Sequence, residues 1–343
     1  MKILFIGGTG TISMAITRAL ADTCNELYLL NRGNRTNGLP LASNIHTIEA
    51  DINDEDAVKR QIEGMQFDSV CDFIAFVPEQ VERDYRLFAN KTKQYMYISS
   101  ASAYAKLPKD YVITEGTSLV NPYWEYSRNK IKCEEFLMRK YREEGYPVTI
   151  IRPSHTYDER SVPLGVHGKN GSYAVIKRML EGKRVIVHGD GTSLWTMTHN
   201  SDFAKGFVGL IGNSHANGEA FQITNDETLT WNQIYEAIAA ALGVEFKPYY
   251  VSSRFLAEAS KKIGYEFEGS LIGDKSNSVV FDNSKLKRAV PGFTPNVRFE
   301  EGIRSTLEYV LSHKECQICD DEFDQWCDKV IAALEKAKEE VNG

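Results

Sequence analysis

The apolar run Lys2–Ile6 stops at Gly7-Gly8-Thr9-Gly10 and passes at once into a helical pattern over 11–21. A strand, a glycine-rich turn and a helix N-terminus, in that order, let backbone N–H groups approach a pyrophosphate. Gly7 allows the tight turn. Gly10 lets the main chain come close to an anion held at the helix end. Thr11 and Ile12 open the helix, and Ser13 is small where a third glycine often sits. The same residues could also serve as a purely structural strand-to-helix turn, so the flanking pattern matters. Strand-like runs recur at 26–30, 46–49, 68–74, 94–98 and 147–151, separated by amphipathic stretches at 54–63, 78–89 and 123–144. Short continuous apolar strands alternating with helices imply an α/β fold, a doubly wound parallel sheet of Rossmann type covered on both faces.

The second strand leads into Asn31-Arg32-Gly33-Asn34-Arg35. An acid here usually holds the ribose hydroxyls of NAD, whereas a guanidinium suits a 2′-phosphate. Arg32 and Arg35 therefore favour NADP over NAD, or are simply solvated loop residues. Asp51, followed by Ile52 after the third strand, is placed to contact the adenine amine.

Beyond residue 155 the alternation is less regular. Helices are expected at 172–182, 201–211 and 231–242, strands at 184–187 and 220–224, and a charged helix from about Asp321. With about 150 residues per domain, 343 residues divide into a dinucleotide-binding domain, 1–155, and an interleaved, smaller mixed α/β substrate lobe, 156–315. Segments near 194–230 return to the first domain, and 316–343 form a C-terminal helical tail. The excess of 47 Asp and Glu over 40 Lys and Arg gives a net charge of −7. That disfavours nucleic acid as a partner, which needs a basic face to displace counterions. No run reaches the ~18 apolar residues of a membrane span, and the N-terminal run is too short for a signal peptide. A cytoplasmic protein is expected. Cys316 and Cys319, with His313 before and Cys327 after, form too partial a ligand set for zinc; no metal is expected.

Tyr126-Ser127-Arg128-Asn129-Lys130 is a YxxxK early in the helix that follows the fifth strand. That spacing puts both side chains on one helical face. Ser99-Ser100-Ala101-Ser102-Ala103-Tyr104 places Ser100 at the C-terminal edge of that strand, the edge where doubly wound sheets bind ligands. A free tyrosine titrates near pH ~10. Lys130 and a nicotinamide cation can stabilise its phenolate, so that Tyr126 exchanges a proton with a substrate hydroxyl at neutral pH. Lys130 can also bond the cofactor's ribose, and Ser100 can hold the substrate oxygen. A second YxxxK, Tyr173 and Lys177, lacks such a strand-end partner and reads as a helix face.

These residues resemble the extended short-chain dehydrogenase/reductase family, the NAD-dependent epimerase/dehydratase group. The resemblance runs from GGTGTIS at 7–13, SSASAY at 99–104 and YSRNK at 126–130 through Ile151-Arg152-Pro153. It continues in Val187-His188-Gly189-Asp190-Gly191, His199-Asn200-Ser201-Asp202 and Phe281-Asp282-Asn283-Ser284-Lys285-Leu286. It implies a held NAD or NADP, catalytic Ser100, Tyr126 and Lys130, and a homodimer through helices at 78–89 and 122–144. Three departures bear on the reaction. Ala101-Ser102 replace the Asp-Glu pair of the 4,6-dehydratases, which argues against dehydration. Trp195 stands where an arginine usually grips a substrate diphosphate, and an indole donates one hydrogen bond and no charge. His155 follows Arg152-Pro153 and is a candidate substrate contact, as are Ser102 and Trp195. The implied function is an NAD(P)-dependent oxidoreductase or epimerase acting on a secondary hydroxyl of a small sugar or sugar nucleotide. Similarity of GGTGTIS and the Asn31-Arg32-Gly33 segment to the chloroplast stem-loop-binding branch, which binds RNA, supplies the rival: a non-catalytic dinucleotide sensor or RNA-associated protein.

Overall fold

The computed structural model describes residues 1–33 and 42–343. The first half runs β1 (Lys2–Ile6), α1 (Thr11–Leu20), β2 (Glu26–Asn31), β3 (Ile45–Glu49), α2 (Glu55–Gln61), β4 (Ser69–Asp72), α3 (Pro78–Phe88) and β5 (Tyr95–Ile98). Then come β6 (Val112–Ile113), α4 (Glu125–Glu144), β7 (Val148–Pro153) and β8 (His155–Tyr157). The second half continues with α5 (Tyr173–Leu180), β9 (Val185–His188), β10 (Leu194–Trp195), β11 (Met197–His199), α6 (Asn200–Leu210) and β12 (Glu219–Ile223). It closes with β13 (Leu229–Thr230), α7 (Trp231–Leu242), β14 (Pro248–Val251), α8 (Ser253–Ser260), β15 (Val280–Phe281), α9 (Ser284–Ala289), α10 (Phe299–Ser312) and α11 (Asp321–Asn342).

Seven strands form one parallel sheet in the order β12-β7-β5-β4-β1-β2-β3. Every residue of β4, β5 and β7 is buried, as expected of strands covered on both faces. One covering layer gathers Phe5, Ile16, Phe203 and Phe207. The other gathers Leu4, Phe67, Val81 and Leu137. The Arg152 guanidinium donates to both Glu134 carboxylate oxygens, at 3.0 and 2.6 Å, and so ties β7 to α4. A buried ion pair with this bidentate geometry fixes register, because either partner alone would be an uncompensated buried charge.

The fourth strand is shorter than its apolar run suggests. The Asp72 carboxylate accepts from the N–H groups of Ile74 and Ala75 at 2.8 and 3.1 Å, which bends the chain out of the sheet. The third apolar cluster draws mostly on the second half of the chain, joined by Ala101, Tyr104, Ile113 and Tyr157, and includes Trp195, Trp231, Tyr235 and Leu256. Within residues 316–343 the chain ends in the helix α11. Phe323, Trp326, Val330 and Ile331 of α11 are buried in that cluster. A π-helical stretch, Glu268–Lys275, and the short pair β6–β15 bring the second half over the C-terminal edge of the sheet. No helix among the described residues is long and apolar enough to cross a membrane.

Candidate active site

The glycine turn has the geometry its position requires. Gly7 and Gly8 both adopt φ +105°, a region that L residues rarely occupy. A Cβ at Gly7 would lie 3.2 Å from Ile74 Cγ2, and one at Gly8 would lie 2.8 Å from Leu29 Cδ2. Gly10 caps α1 in extended conformation, and its N–H donates to Ser13 Oγ at 2.9 Å. Ser13 is therefore a hydrogen-bonding cap as well as a small packing residue. The turn is braced from below: Thr17 Oγ1 donates to the Gly8 carbonyl at 3.0 Å, and Asn200 Nδ2 donates to the Thr11 carbonyl at 3.1 Å.

A cleft of about 340 Å³ opens beside this turn, lined by Gly7, Thr9, Asn31, Arg32, Asp51, Ile52, Asn53, Ile74 and Arg83. Of the residues expected to hold cofactor, Gly7, Asn31, Arg32, Asp51 and Ile52 line it. Gly10 starts the helix, Thr11 faces a smaller cavity of about 180 Å³ with His155, and Ile12 packs toward the core. Arg35 lies outside the described residues. Asn31 Oδ1 accepts from the Gly33 N–H at 2.8 Å, which shapes the loop. Asp51 Oδ1 accepts from the N–H and the side-chain amide of Asn53, at 2.9 and 3.0 Å. The arginine without a sequence signal is Arg83. It is buried on α3 and donates to Asp84 Oδ1 at 2.8 Å and Asn53 Oδ1 at 2.7 Å; its second terminal nitrogen lies 2.8 Å from Asp84 Oδ1 but, among the described residues, has no aligned hydrogen-bond acceptor.

Lys130 is buried behind Tyr126, a residue that lines a second cavity. Its ammonium donates at 2.7 Å to two carbonyls, Ala75 O and Ile98 O. Three aromatic rings surround it, with centroids at 4.7 Å (Phe76), 4.9 Å (Tyr97) and 5.8 Å (Tyr126). An ammonium has three donors, so one remains for a ligand. Burial pushes the Lys130 pKa down to about 8, and the Asp72 charge opposes that fall. The group therefore stays cationic at neutral pH.

The second cavity, about 350 Å³, is lined by Ser100, Ser102, Trp124, Tyr126, His155 and Trp195, joined by Lys106, Asp274, Lys275 and Phe281. Ser127 Oγ donates to Ser102 Oγ at 2.7 Å, and Ser102 Oγ lies 2.9 Å from Ser100 Oγ. Ser102, having accepted from Ser127, has its own proton for Ser100. Ser100 Oγ also accepts from the Ser102 N–H at 3.1 Å. The Ser100 proton is then left for an oxygen in the cavity, that of Tyr126 or of a substrate. Burial raises the Tyr126 pKa, and a hydrogen bond with Ser100 pulls it back. Trp195 Nε1 donates to His155 Nδ1 at 3.3 Å, which sets the His155 proton on Nε2 and uses the indole's one donor. Burial drives His155 down to about 3, so the ring is neutral.

Lys106, Asp274 and Lys275 were missed by motif reasoning, as were Ser127 and Arg83. Ser127 sits inside YSRNK and could have been found there. The others carry no spacing signal, because the fold gathers them from distant segments. Tyr173 and Lys177 lie on α5, where Tyr173 bonds Gln317 and Lys177 pairs with Glu181. Among the described residues no three or more His, Cys, Asp or Glu side chains gather where they could hold a metal ion, and Cys327 is buried while Cys319 is exposed.

Residues 3–224 match the model of the "NAD dependent epimerase/dehydratase family". The chain is 22% identical over 293 residues to 2'-dehydrokanamycin reductase of Streptomyces kanamyceticus, covering 85% of this chain and 80% of that protein. It is 28% identical over 253 residues to the chloroplast stem-loop binding protein of 41 kDa b of Arabidopsis thaliana, covering 71% and 63% of the two chains. The fold matches the UDP-glucuronic acid 4-epimerase of Bacillus cereus, solved in complex with NAD, with a TM-score of 0.71 at 18% identity over 93% of this chain and 100% of that one. With a family match that spans well over half of its length, this chain belongs to the NAD dependent epimerase/dehydratase family.

Proposed function

We propose that this protein oxidises or reduces a secondary hydroxyl of a sugar or sugar-nucleotide substrate, as an epimerase or a reductase, with Tyr126 as general acid/base. The observation that carries the reading is that Tyr126, Ser100 and Ser102 line one cavity, with Ser127 bonded behind Ser102 and the tethered Lys130 ammonium 5.8 Å from the Tyr126 ring. Ser100 turns its proton from Tyr126 to the substrate oxygen and so orients it. Tyr126 exchanges the hydroxyl proton. Lys130, positive at neutral pH, lowers the cost of the phenolate.

A nicotinamide dinucleotide fits the first cleft. The Gly7 main chain comes close to Ile74 where a Cβ would crowd, and the N-terminus of α1 offers N–H groups to phosphate. When bound there, the dinucleotide supplies the hydride chemistry that no side chain can. Asp51 would face the adenine end, and Lys130 would give its remaining donor to the ribose. Between the two dinucleotides we favour NAD. Arg32 argues for a 2′-phosphate, but the Glu49 carboxylate sits so close to Gly33 that a Cβ there would be 2.9 Å from it. An anion in that corner opposes a second one.

Dehydration is not part of the reading, because Ala101 and Ser102 carry no carboxyl group. The carboxylate that does line the cavity, Asp274, pairs with Lys106 at 3.3 Å. For assembly we propose a homodimer through α3 and α4. Glu79, Glu82 and Arg86 on α3 and Arg128, Lys132 and Glu135 on α4 are exposed, so the contact is polar and should dissociate as salt rises; sedimentation across a salt series tests it. The test of function is turnover of a panel of sugars and sugar nucleotides by wild type and Tyr126→Phe. A loss of turnover with unchanged NAD affinity is expected, and equal turnover would remove Tyr126 from the mechanism.

A further inference from the structure

The substrate cavity holds two lysines and one carboxylate. Lys106 is buried and paired with Asp274. Lys275, the last residue of the π-helical stretch, is 9% exposed and also lines the cavity. Its main chain is pinned: the carbonyl accepts from Trp231 Nε1 at 3.1 Å and from Ser193 Oγ at 3.3 Å, and lies 3.3 Å from His188 Nε2. Among the described residues, however, no carboxylate pairs with its ammonium and no acceptor hydrogen-bonds it. A buried cation without a partner is costly unless something completes it. The polar groups nearest to it do not. Asp274 is engaged by Lys106, Tyr126 is a neutral phenol, and burial holds His155, His167 and His188 below the ordinary imidazole range, with the Lys275 charge pushing the same way. Burial likewise pushes the Lys275 pKa down, and the nearby Asp274 opposes it.

We propose that Lys275 is the receptor for an anionic group on the substrate, a carboxylate or phosphate oxygen. The proposal rests on the reading of this cavity as the substrate site. It supplies from the π-helical stretch the positive charge that Trp195 cannot give. An anion bound at Lys275 shares a cavity of about 350 Å³ with Tyr126, so the charge lies on or close to the sugar that reacts.

The test is calorimetric titration of the NAD-loaded full chain with UDP and glucuronate, and with glucose as the neutral control. Wild type is expected to bind at least one of the two anions. Lys275→Met should weaken that binding at least tenfold, in the range of a charge-assisted hydrogen bond. Lys275→Arg should retain most of it. Asp274→Asn should tighten it, because the site loses its competing carboxylate. UDP alone would name phosphate as the anion, and glucuronate alone would name carboxylate. Absence of binding by both anions, equal binding by wild type and Lys275→Met, or unchanged or weaker binding by Asp274→Asn would overturn the proposal. Lys275→Gln, which removes the charge but keeps a polar side chain, gives the same reading if the Met variant does not fold. The oxidoreductase reading fails separately: if Tyr126→Phe turns over sugars as wild type does while Lys275→Met loses the anions, the chemistry falls and the anion site stands.

Discussion

The two clefts are built on different principles. The dinucleotide cleft follows the first three strands of the sheet, and its shape is set by main chain: two glycines at φ +105°, a helix N-terminus, and turns capped by Asn31 and Asp51. The substrate cavity is assembled from side chains that arrive from residues 100–106, 124–126, 153–155, 195 and 274–281. A main-chain site tolerates change in most of its side chains and fails at a few glycines. A side-chain site can change its ligand one residue at a time while the fold stays the same.

Lys130 is where the comparison should break, since its buried ammonium bonds Ala75 O, next to Ile74 of the first cleft, and lies 5.8 Å from the Tyr126 ring of the second. Its bonds to Ala75 O and Ile98 O join the loop after β4 to the end of β5. Lys130→Met should lower turnover by about 10²–10⁴-fold and weaken NAD binding as well. Tyr126→Phe should lower turnover by a similar factor and spare NAD binding. Fluorescence titration with NADH beside steady-state kinetics separates the two. If Lys130→Met binds NADH as wild type does, Lys130 serves the substrate cavity alone.

Gly8 sharpens the main-chain half. Gly8→Ala puts a methyl group 2.8 Å from Leu29 Cδ2 at a backbone angle that alanine resists. A loss of about 1–3 kcal/mol is expected, seen as a lower urea midpoint at constant slope. NADH affinity should fall with it. A midpoint equal to wild type would mean that the turn relaxes freely and that the cleft is less rigidly set than its φ angles imply.

These two regions also divide what could be read from sequence. The glycine turn, the strand-end Ser100 and the Tyr126–Lys130 spacing are local patterns, because a βα turn and one helical turn each fix their geometry within a few residues. The parallel sheet was legible for the same reason: runs such as 68–74 and 147–151 are apolar on both faces. The early end of β4 was not, because it depends on Asp72 turning back to cap Ile74 and Ala75. Arg83 and Lys275 were not legible either. Each is an isolated basic residue in a stretch of ordinary composition, and only long-range packing gives it a role. The burial of α11 in the second lobe belongs to the same class, since a charged helix with an apolar stripe does not say which surface it covers.

The side-chain half should be the acid-labile half. His188 is buried beside Trp231, with ring centroids 4.9 Å apart, and burial lowers its pKa from 6.5 to about 4. The unfolded chain therefore takes up this proton first as pH falls. The neutral ring's contribution is intact above about pH 6.5 and is lost as pH drops toward 4. Between those values one such group gives stability a slope of up to about 1.4 kcal/mol per pH unit, rising with pH. Urea midpoints from pH 7 to 4 should show this slope in wild type and a smaller one in His188→Gln. An unchanged slope would move the acid sensitivity to other groups.

The smallest expected effect bears on which dinucleotide the first cleft prefers. Arg32 is exposed and Glu49 approaches Gly33 from the end of β3. A 2′-phosphate placed between them gains from the first and loses to the second. Both charges are solvated, so each contributes on the order of 0–1 kcal/mol, and the balance is a few-fold in affinity. Glu49→Gln removes the repulsion and leaves Arg32 in place, so NADPH affinity should rise about two- to fivefold while NADH affinity holds. The gain should shrink as salt rises, because charges this exposed are screened within about 8 Å at physiological ionic strength. A gain that does not respond to salt would point to loop rearrangement around Gly33 rather than to charge. In that case even this corner of the cleft owes its selectivity to main-chain shape.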